Sequence, residues 1–181
     1  MFVLAVFTAH GGRNGNSTLP QFSTALPPAH AGLGLTEGVC GVILMEMEFP
    51  VEDTRRLAGA ALSRDIGSGD VTSEALVPGG LEISGEIRAR ESGVLCGMPA
   101  VREVYAILGG VEIDGMEDGK RFDAGDTICE LGGNARSILS GERTALNFLC
   151  RLSGIATVAA EFVRKLEGTG ARILDTRKTA P

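Results

Sequence analysis

The sequence lacks several features that mark common classes of protein. Its 181 residues include one tyrosine and no tryptophan, which leaves little material for stacking nucleic-acid bases or building an aromatic cage. The formal net charge is −6 and no basic block is present, which argues against a nucleic-acid surface. No apolar run approaches a membrane span, and residues 1–9 lack the positive start of a signal peptide. We therefore expect neither nucleic acid nor a membrane as a partner.

Cysteines are few and scattered. Cys40, Cys96, Cys129 and Cys150 form no C-x-x-C pair, so neither a zinc site nor a disulfide framework is indicated. The last three lie among apolar neighbours, as small buried hydrophobic residues often do. A reducing, cytoplasmic setting is the simplest inference.

Residues 1–46 differ from the rest of the chain. Gly, Pro, Ser, Thr and Ala dominate this stretch, charges are nearly absent, and no helical or strand period persists. This composition predicts a disordered extension. The alternative is a start codon placed too far upstream, with translation beginning at Met45 or Met47.

Beyond residue 46, helical and strand patterns alternate. Apolar residues recur at helical spacing from Val51 until near Asp65, and residues 98–108 have the same period. Residues 81–97 alternate as a strand does, and shorter strand patterns occur at 111–113 and 127–131. Strands with one or two helices on a face predict a small α+β sandwich.

Two glycines lie between two aspartates in the loop D-I-G-S-G-D-V-T, residues 65–72. Such a loop could bind a cation or cradle an anion. The interpretation we favour is a helix-to-strand connection whose glycines take positive φ.

The hairpin region at 118–126 resembles the turn of biotinyl and lipoyl carriers, which predicts a carrier as an alternative. A carrier displays a modified lysine in a hairpin, next to Met or Ala. The only lysines are Lys120, Lys165 and Lys178, and none has that context. The carrier hypothesis fails on this requirement.

Two helices are predicted at about 135–152 and 155–167, separated by Ser153 and Gly154. Arg143, Asn147 and Arg151 follow one another at i, i+4 and i+8, an arrangement that favours an anionic partner. For Arg143 the alternative is a surface or interface salt bridge. Glu142 falls in the apolar stripe, where a carboxylate must be paired or hydrogen-bonded.

The chain ends in a predicted strand, Ile173 and Leu174, followed by D-T-R-K-T-A-P. Polar side chains collect at the carboxyl ends of strands in α/β barrels. Arg and Lys together suit carboxylates and phosphates. A solvated loop after a strand is the alternative.

Three motifs together resemble quinolinate phosphoribosyltransferase, the carboxylating nicotinate-nucleotide pyrophosphorylase. They are the loop at 65–72, G-E-R-T-A-L-N-F-L at 141–149 with L-S-G-I-A-T at 152–157, and D-T-R-K-T-A-P at 175–181. The resemblance runs from about Phe49 to Pro181 and concerns the N-terminal part of the family only.

The resemblance implies an enzyme of NAD biosynthesis that is cytoplasmic and dimeric or higher. It condenses quinolinate with phosphoribosyl pyrophosphate and yields nicotinate mononucleotide, pyrophosphate and carbon dioxide, with Mg²⁺ bound. Arg143 would reach across the subunit interface to the substrate carboxylates. Thr176, Arg177 and Lys178 would bind quinolinate from the barrel side. The resemblance assigns no catalytic residue, and the Mg²⁺ ligands are expected beyond Pro181.

The implied organisation has three parts: the extension 1–46, the α+β N-terminal domain 47–155, and an incomplete α/β barrel at 156–181 with only its first strand. We therefore expect an incomplete chain without turnover of its own. Two alternatives remain, the molybdenum-transport-associated relative of the same fold and a non-catalytic dimerisation module.

Overall fold

A four-stranded antiparallel sheet forms one layer of the molecule, in the strand order β1-β2-β6-β4. The computed structural model describes the backbone of residues 3–9 and the chain from 50 to 174. The described strands are β1 Val3–Ala9, β2 Glu82–Ala89, β3 Gly93–Val94, β4 Val111–Gly115, β5 Arg121–Phe122 and β6 Thr127–Asn134. The helices are α1 Val51–Ile66, α2 Val71–Leu76, α3 Met98–Leu108 and α4 Ala135–Leu166. All these elements belong to one compact unit.

Helices α1, α3 and α4 pack against one another and cover the sheet. The alternation predicted for β2 is confirmed, since Ile83, Ile87 and Ala89 are buried while Arg88 is exposed. Helix α3 buries Val101, Val104 and Tyr105 at the predicted helical spacing. The α+β arrangement therefore agrees with the sequence prediction.

Strand β1 differs from the expectation of a disordered extension over residues 1–46. Val3–Ala9 pairs with β2 along its whole length, from Val3 opposite Ala89 to Ala9 opposite Ile83. The strand was not predicted because the composition was judged over all of residues 1–46, whereas only the short segment Val3–Ala9 is apolar and rich in β-branched residues. Residues 10–49 lie outside the described residues, and both interpretations of the extension remain predictions there.

Helix α4 is a single helix of 32 residues, so the prediction of two helices was wrong. Ser153 and Gly154 do not end it, because Gly154 keeps the helical backbone and Ser153 packs at 0% exposure. The predicted domain boundary at residue 155 falls within this helix.

Residues 171–174 are irregular, so the predicted strand at Ile173 and Leu174 is not formed. Ile173 is 46% exposed and Leu174 is 80% exposed. A barrel strand needs neighbouring strands, and no described residue follows Leu174 to provide one. The barrel part of the predicted fold therefore has no counterpart among residues 50–174.

The cysteines within the described residues are free thiols. Cys129 is buried, as predicted, and burial raises the pKa of its thiol to about 12. Cys96 and Cys150 are only partly buried. Cys129 therefore forms part of the packing of the core.

Candidate anion-binding site

The candidate site lies on the first half of α4. The helix begins at Asn134, whose side-chain oxygen accepts hydrogen bonds from the backbone N–H groups of Arg136 at 3.0 Å and Ser137 at 3.2 Å. Asparagine is among the best residues for this role because its short side chain satisfies helix donors that have no other partner. The start of α4 is thereby fixed relative to β6.

The segment from the end of α1 to the start of α2, residues 65–70, is attached to α4 through both of its aspartates. Asp65 accepts from Nη1 of Arg143 at 2.8 Å and from the hydroxyl of Thr144 at 3.4 Å. Asp70 accepts from the hydroxyl of Ser140 at 2.8 Å. Residues spaced by three and four lie on one side of a helix, so the loop crosses a single face of α4.

This loop is a connection, as favoured from the sequence, but it leads into a helix rather than a strand. Gly67 and Gly69 have φ of 59° and 151°, in agreement with the predicted positive φ. Asp70 caps α2 by accepting from the backbone N–H of Ser73 at 3.0 Å and its hydroxyl at 2.6 Å. Helix α2 was not predicted because its six residues show no clear period, although Asp70 is a usual start signal.

Asp70 gives a testable pH dependence. Its hydrogen bonds from Ser73, and then from Ser140, lower the pKa of the carboxyl below its ordinary value. A lowered folded-state pKa means that the stabilisation is present above the unfolded pKa and is lost as pH falls through the folded one. We expect Asp70→Ala to lower the free energy of unfolding by about 1–2 kcal/mol at neutral pH, and by less in acid. Urea denaturation of both proteins at pH 7 and pH 3 measures this difference.

The matched variants are Asp70→Asn, which retains an oxygen that can cap α2, and Asp53→Ala in the exposed first turn of α1. We expect Asp70→Asn to lose less stability than Asp70→Ala. A deficit in Asp70→Ala that is the same at both pH values would contradict the assigned role.

Arg143 is exposed, with 76% of its side chain accessible, and it forms an ion pair with Asp65. Both sequence interpretations of Arg143 are therefore compatible with the structure: it makes a surface salt bridge and still faces outward. Its neighbour Glu142 is half-buried, and burial raises the pKa of this carboxyl while Arg143 opposes the change. The two adjacent side chains point in directions about 100° apart around the helix axis.

The L-S-G-I-A-T motif connects α4 to the segment at β3. The hydroxyl of Ser153 accepts from the backbone N–H of Cys96 and donates to its carbonyl, both at 3.0 Å. One turn later, the hydroxyl of Thr157 accepts from the backbone N–H of Val94 at 2.9 Å. These hydroxyls satisfy backbone groups of Val94 in β3 and of Cys96 just after it. The motif therefore holds β3 against the helix.

One side of α4 stays exposed along its length, and we call it the α4 outer stripe. It is basic and polar in the first half and apolar in the second, and its residues lie within about 120° of one another around the axis. An open groove of about 700 Å³ adjoins its apolar part. The stripe consists of Arg143, Asn147, Arg151, Ile155, Val158 and Phe162.

By length and composition, α4 also passes as a membrane-crossing helix within the described part of the chain. The expectation that no apolar run approaches such a length was therefore wrong. The first half of α4 buries Ile138, Ala145 and Leu149 in the domain, whereas the apolar 18-residue stretch itself is only 11% buried. Length and composition alone do not place the helix in a membrane.

Of the predicted site residues, the structure places Arg143 alone. Thr176, Arg177 and Lys178 lie outside the described residues. The structure adds Asp65 and Thr144, which contact Arg143 or its partner. Their signal was in the sequence, because the loop motif and G-E-R-T were both noted, but no periodicity shows that two motifs 78 residues apart meet.

No group of three or more metal-ligating side chains occurs among residues 50–174. The Mg²⁺ that the resemblance implied is an ion that proteins usually bind through one or two carboxylates together with substrate phosphates. The expectation that the ligands lie in a later part of the protein remains a prediction.

Fold and site together define an α+β domain with an exposed arginine on α4 that is paired with an aspartate at the end of α1. Residues 70–153 match the family model of the quinolinate phosphoribosyl transferase N-terminal domain. The chain is 39% identical over 145 residues to the nicotinate-nucleotide pyrophosphorylase (carboxylating) of Mycobacterium leprae, an alignment covering 77% of this chain and 50% of that relative. A probable enzyme of the same name from Bacillus subtilis is 39% identical over 129 residues, covering 70% and 44%.

The nicotinate-nucleotide pyrophosphorylase of Francisella tularensis superposes with a TM-score of 0.70 at 36% identity, covering 74% of this chain and 48% of that structure. The chain belongs to the quinolinate phosphoribosyltransferase family, of which it carries the N-terminal part. The relatives' names are those of a phosphoribosyltransferase, which is a pentosyltransferase. The chain spans about half the length of the relatives it matches.

Proposed function

We propose that this chain supplies the N-terminal part of an enzyme that makes nicotinate mononucleotide, pyrophosphate and carbon dioxide from quinolinate and phosphoribosyl pyrophosphate, in NAD biosynthesis. The observation that carries this proposal is the exposed guanidinium of Arg143. Arg143 belongs to the G-E-R-T motif of a family domain and is paired with Asp65. Relatives named for this enzyme support it, and they favour it over the molybdenum-transport-associated alternative.

The chemistry of quinolinate fits an arginine at this place. The substrate carries two adjacent carboxylates, and the planar fork of a guanidinium binds a carboxylate through two parallel hydrogen bonds. Arg143 would bind one carboxylate and orient the pyridine ring. Thr176, Arg177 and Lys178 would neutralise the remaining charge, so that the ring nitrogen can approach the ribose carbon as pyrophosphate departs.

The site is proposed to be shared between subunits of a homodimer or larger assembly. Arg143 points out of its own domain, and the α4 outer stripe continues from it as an apolar surface with Ile155 at 60%, Val158 at 53% and Phe162 at 55% exposure. Exposed apolar area of this kind marks an interaction site. The same surface supports the second candidate, a non-catalytic dimerisation module.

The Mg²⁺ in this picture is carried by the family name alone. Mg²⁺ would neutralise the pyrophosphate, and no group of three or more metal-ligating side chains occurs among residues 50–174. A cytoplasmic location and the absence of turnover by this chain alone remain predictions.

Quinolinate binding to the purified chain, measured by calorimetry, tests the proposal. We expect a dissociation constant in the millimolar range or below, weakened at least about tenfold in Arg143→Ala, because a charge-assisted hydrogen bond contributes about 1.5–3 kcal/mol. Arg177→Ala should weaken it similarly. Arg56→Ala is the matched control, since Arg56 forms an exposed pair with Asp53 on α1.

Sedimentation equilibrium on the same samples gives the oligomeric state. Equal affinity of Arg143→Ala and the unchanged protein would overturn the assignment of Arg143. A folded dimer that binds no quinolinate would instead favour the dimerisation module.

A further inference from the structure

We propose that Asp65 is a positioning residue for Arg143, holding its guanidinium in the orientation in which a substrate carboxylate meets it. This inference rests on the proposed function of Arg143. It starts from the contact between Asp65 Oδ1 and Arg143 Nη1 at 2.8 Å, which joins the end of α1 to the exposed side of α4. The two residues are 78 positions apart in the sequence.

Asp65 is itself held in place, which a positioning residue must be. Its second oxygen accepts from the hydroxyl of Thr144, a residue that is only 3% exposed. Five residues on, Asp70 fixes the other end of the loop to Ser140. The Asp65 side chain is 22% exposed, against 76% for Arg143, so the carboxylate is the anchored member of the pair.

The contact leaves Arg143 able to bind. Among the described residues the ion pair uses Nη1, and a guanidinium has five N–H donors. The side chain of an arginine loses conformational entropy when it is fixed on a ligand. Asp65 imposes part of that ordering before the ligand arrives, so less is lost on binding.

An opposing effect is the negative charge of Asp65, which repels an incoming carboxylate. Arg143 lies in a solvated position, where water and salt screen a second-neighbour charge strongly. The ordering comes from a direct charge-assisted hydrogen bond of 2.8 Å, which water and salt screen less than the more distant repulsion. We therefore expect the ordering effect to prevail and Asp65 to strengthen binding.

Calorimetry with quinolinate on the full chain tests this direction. Asp65→Ala should weaken binding by about two- to tenfold, the equivalent of ordering one long side chain. Asp65→Asn retains an acceptor oxygen without the charge and should recover most of the affinity. Asp53→Ala, which removes a carboxylate from an exposed Asp–Arg pair elsewhere on α1, should bind like the unchanged protein.

The combination with Arg143→Ala separates this inference from the proposed function. In that background Asp65→Ala should have no further effect, because there is no guanidinium left to orient. If Arg143→Ala alone left the affinity unchanged, the proposed function would fail. Equal or tighter binding by Asp65→Ala, with Arg143 intact, would overturn the positioning role while the function stands.

A measurement without substrate tests independently whether Asp65 restrains the guanidinium of Arg143. Phenylglyoxal reacts with accessible guanidinium groups, and peptide mass spectrometry gives the rate at each arginine. Asp65→Ala should raise the rate at Arg143 several-fold and leave Arg151 unchanged, because Arg151 lies two helical turns further along α4. An unchanged rate at Arg143 would show that Asp65 does not hold it, and the inference would be wrong even if quinolinate binds.

Discussion

Replacing Gly133 with alanine is expected to lower the free energy of unfolding of the chain by about 3–5 kcal/mol. Gly133 lies in β6 with φ of 134°, a backbone conformation that L side chains rarely adopt. A Cβ there would also overlap the carbonyl oxygen of Gly110, which cannot move away because it accepts from the backbone N–H of Asn134 at 2.8 Å. The strain therefore falls on the junction from which α4 starts.

Gly119→Ala is the matched control, since Gly119 has φ of 85° but nothing lies within 4 Å of the added Cβ. The Gly119→Ala variant should therefore lose only the free energy that a positive φ costs an alanine, about 1–2 kcal/mol. Urea denaturation gives both values. If the two variants lost the same stability, the close approach of β6 to Gly110 would not be a real constraint.

Replacing Tyr105 with alanine is expected to cost about 3–5 kcal/mol, the range for removing a large aromatic side chain from a core. Tyr105 is 1% exposed and belongs to the hydrophobic core. Its ring lies directly against Gly141, where an added Cβ would come within 2.6 Å of Cε1. The close packing of α3 on α4 thus depends on a ring on one helix and a glycine on the other.

Tyr105→Phe provides the control, because it removes only the hydroxyl that donates to the carbonyl of Ile138 at 3.3 Å. We expect a loss of about 1 kcal/mol or less. Thermal and urea unfolding of the pair separate packing from hydrogen bonding. A phenylalanine variant as unstable as the alanine variant would assign the effect to the hydroxyl.

The sequence predicted those elements whose residues show a clear local period. Helices α1 and α3 and strand β2 follow from the spacing of their own apolar residues, and their glycines and caps lie where the chain turns. Helix α4 was divided wrongly because Ser153 and Gly154 resemble a stop signal. A tertiary contact overrides that signal, because the hydroxyl of Ser153 bonds both the backbone N–H and the carbonyl of Cys96, a residue 57 positions away.

The same distinction applies to the candidate site. Arg143 could be selected from its motif and from its direction on the helix. Asp65 could not be assigned to it, because an ion pair between two distant segments depends on how the chain folds rather than on spacing. A strand at Ile173 could not be judged from its own residues, since a strand exists only through its neighbours.

Because α4 runs without a break, the number of residues between its basic and apolar parts sets the angle between them around the helix axis. Each residue of a helix turns the chain by 100° and advances it by about 1.5 Å, so Arg143 and Phe162 keep a fixed rotational relation only while the number of residues between them is unchanged. Deleting one residue near Gly154 would rotate the apolar part of the helix by about 100° away from the basic part. It would also turn Thr157 away from the backbone N–H of Val94 that it now accepts from. A partner that contacts both parts therefore constrains the number of residues between them as strictly as it constrains the side chains it contacts.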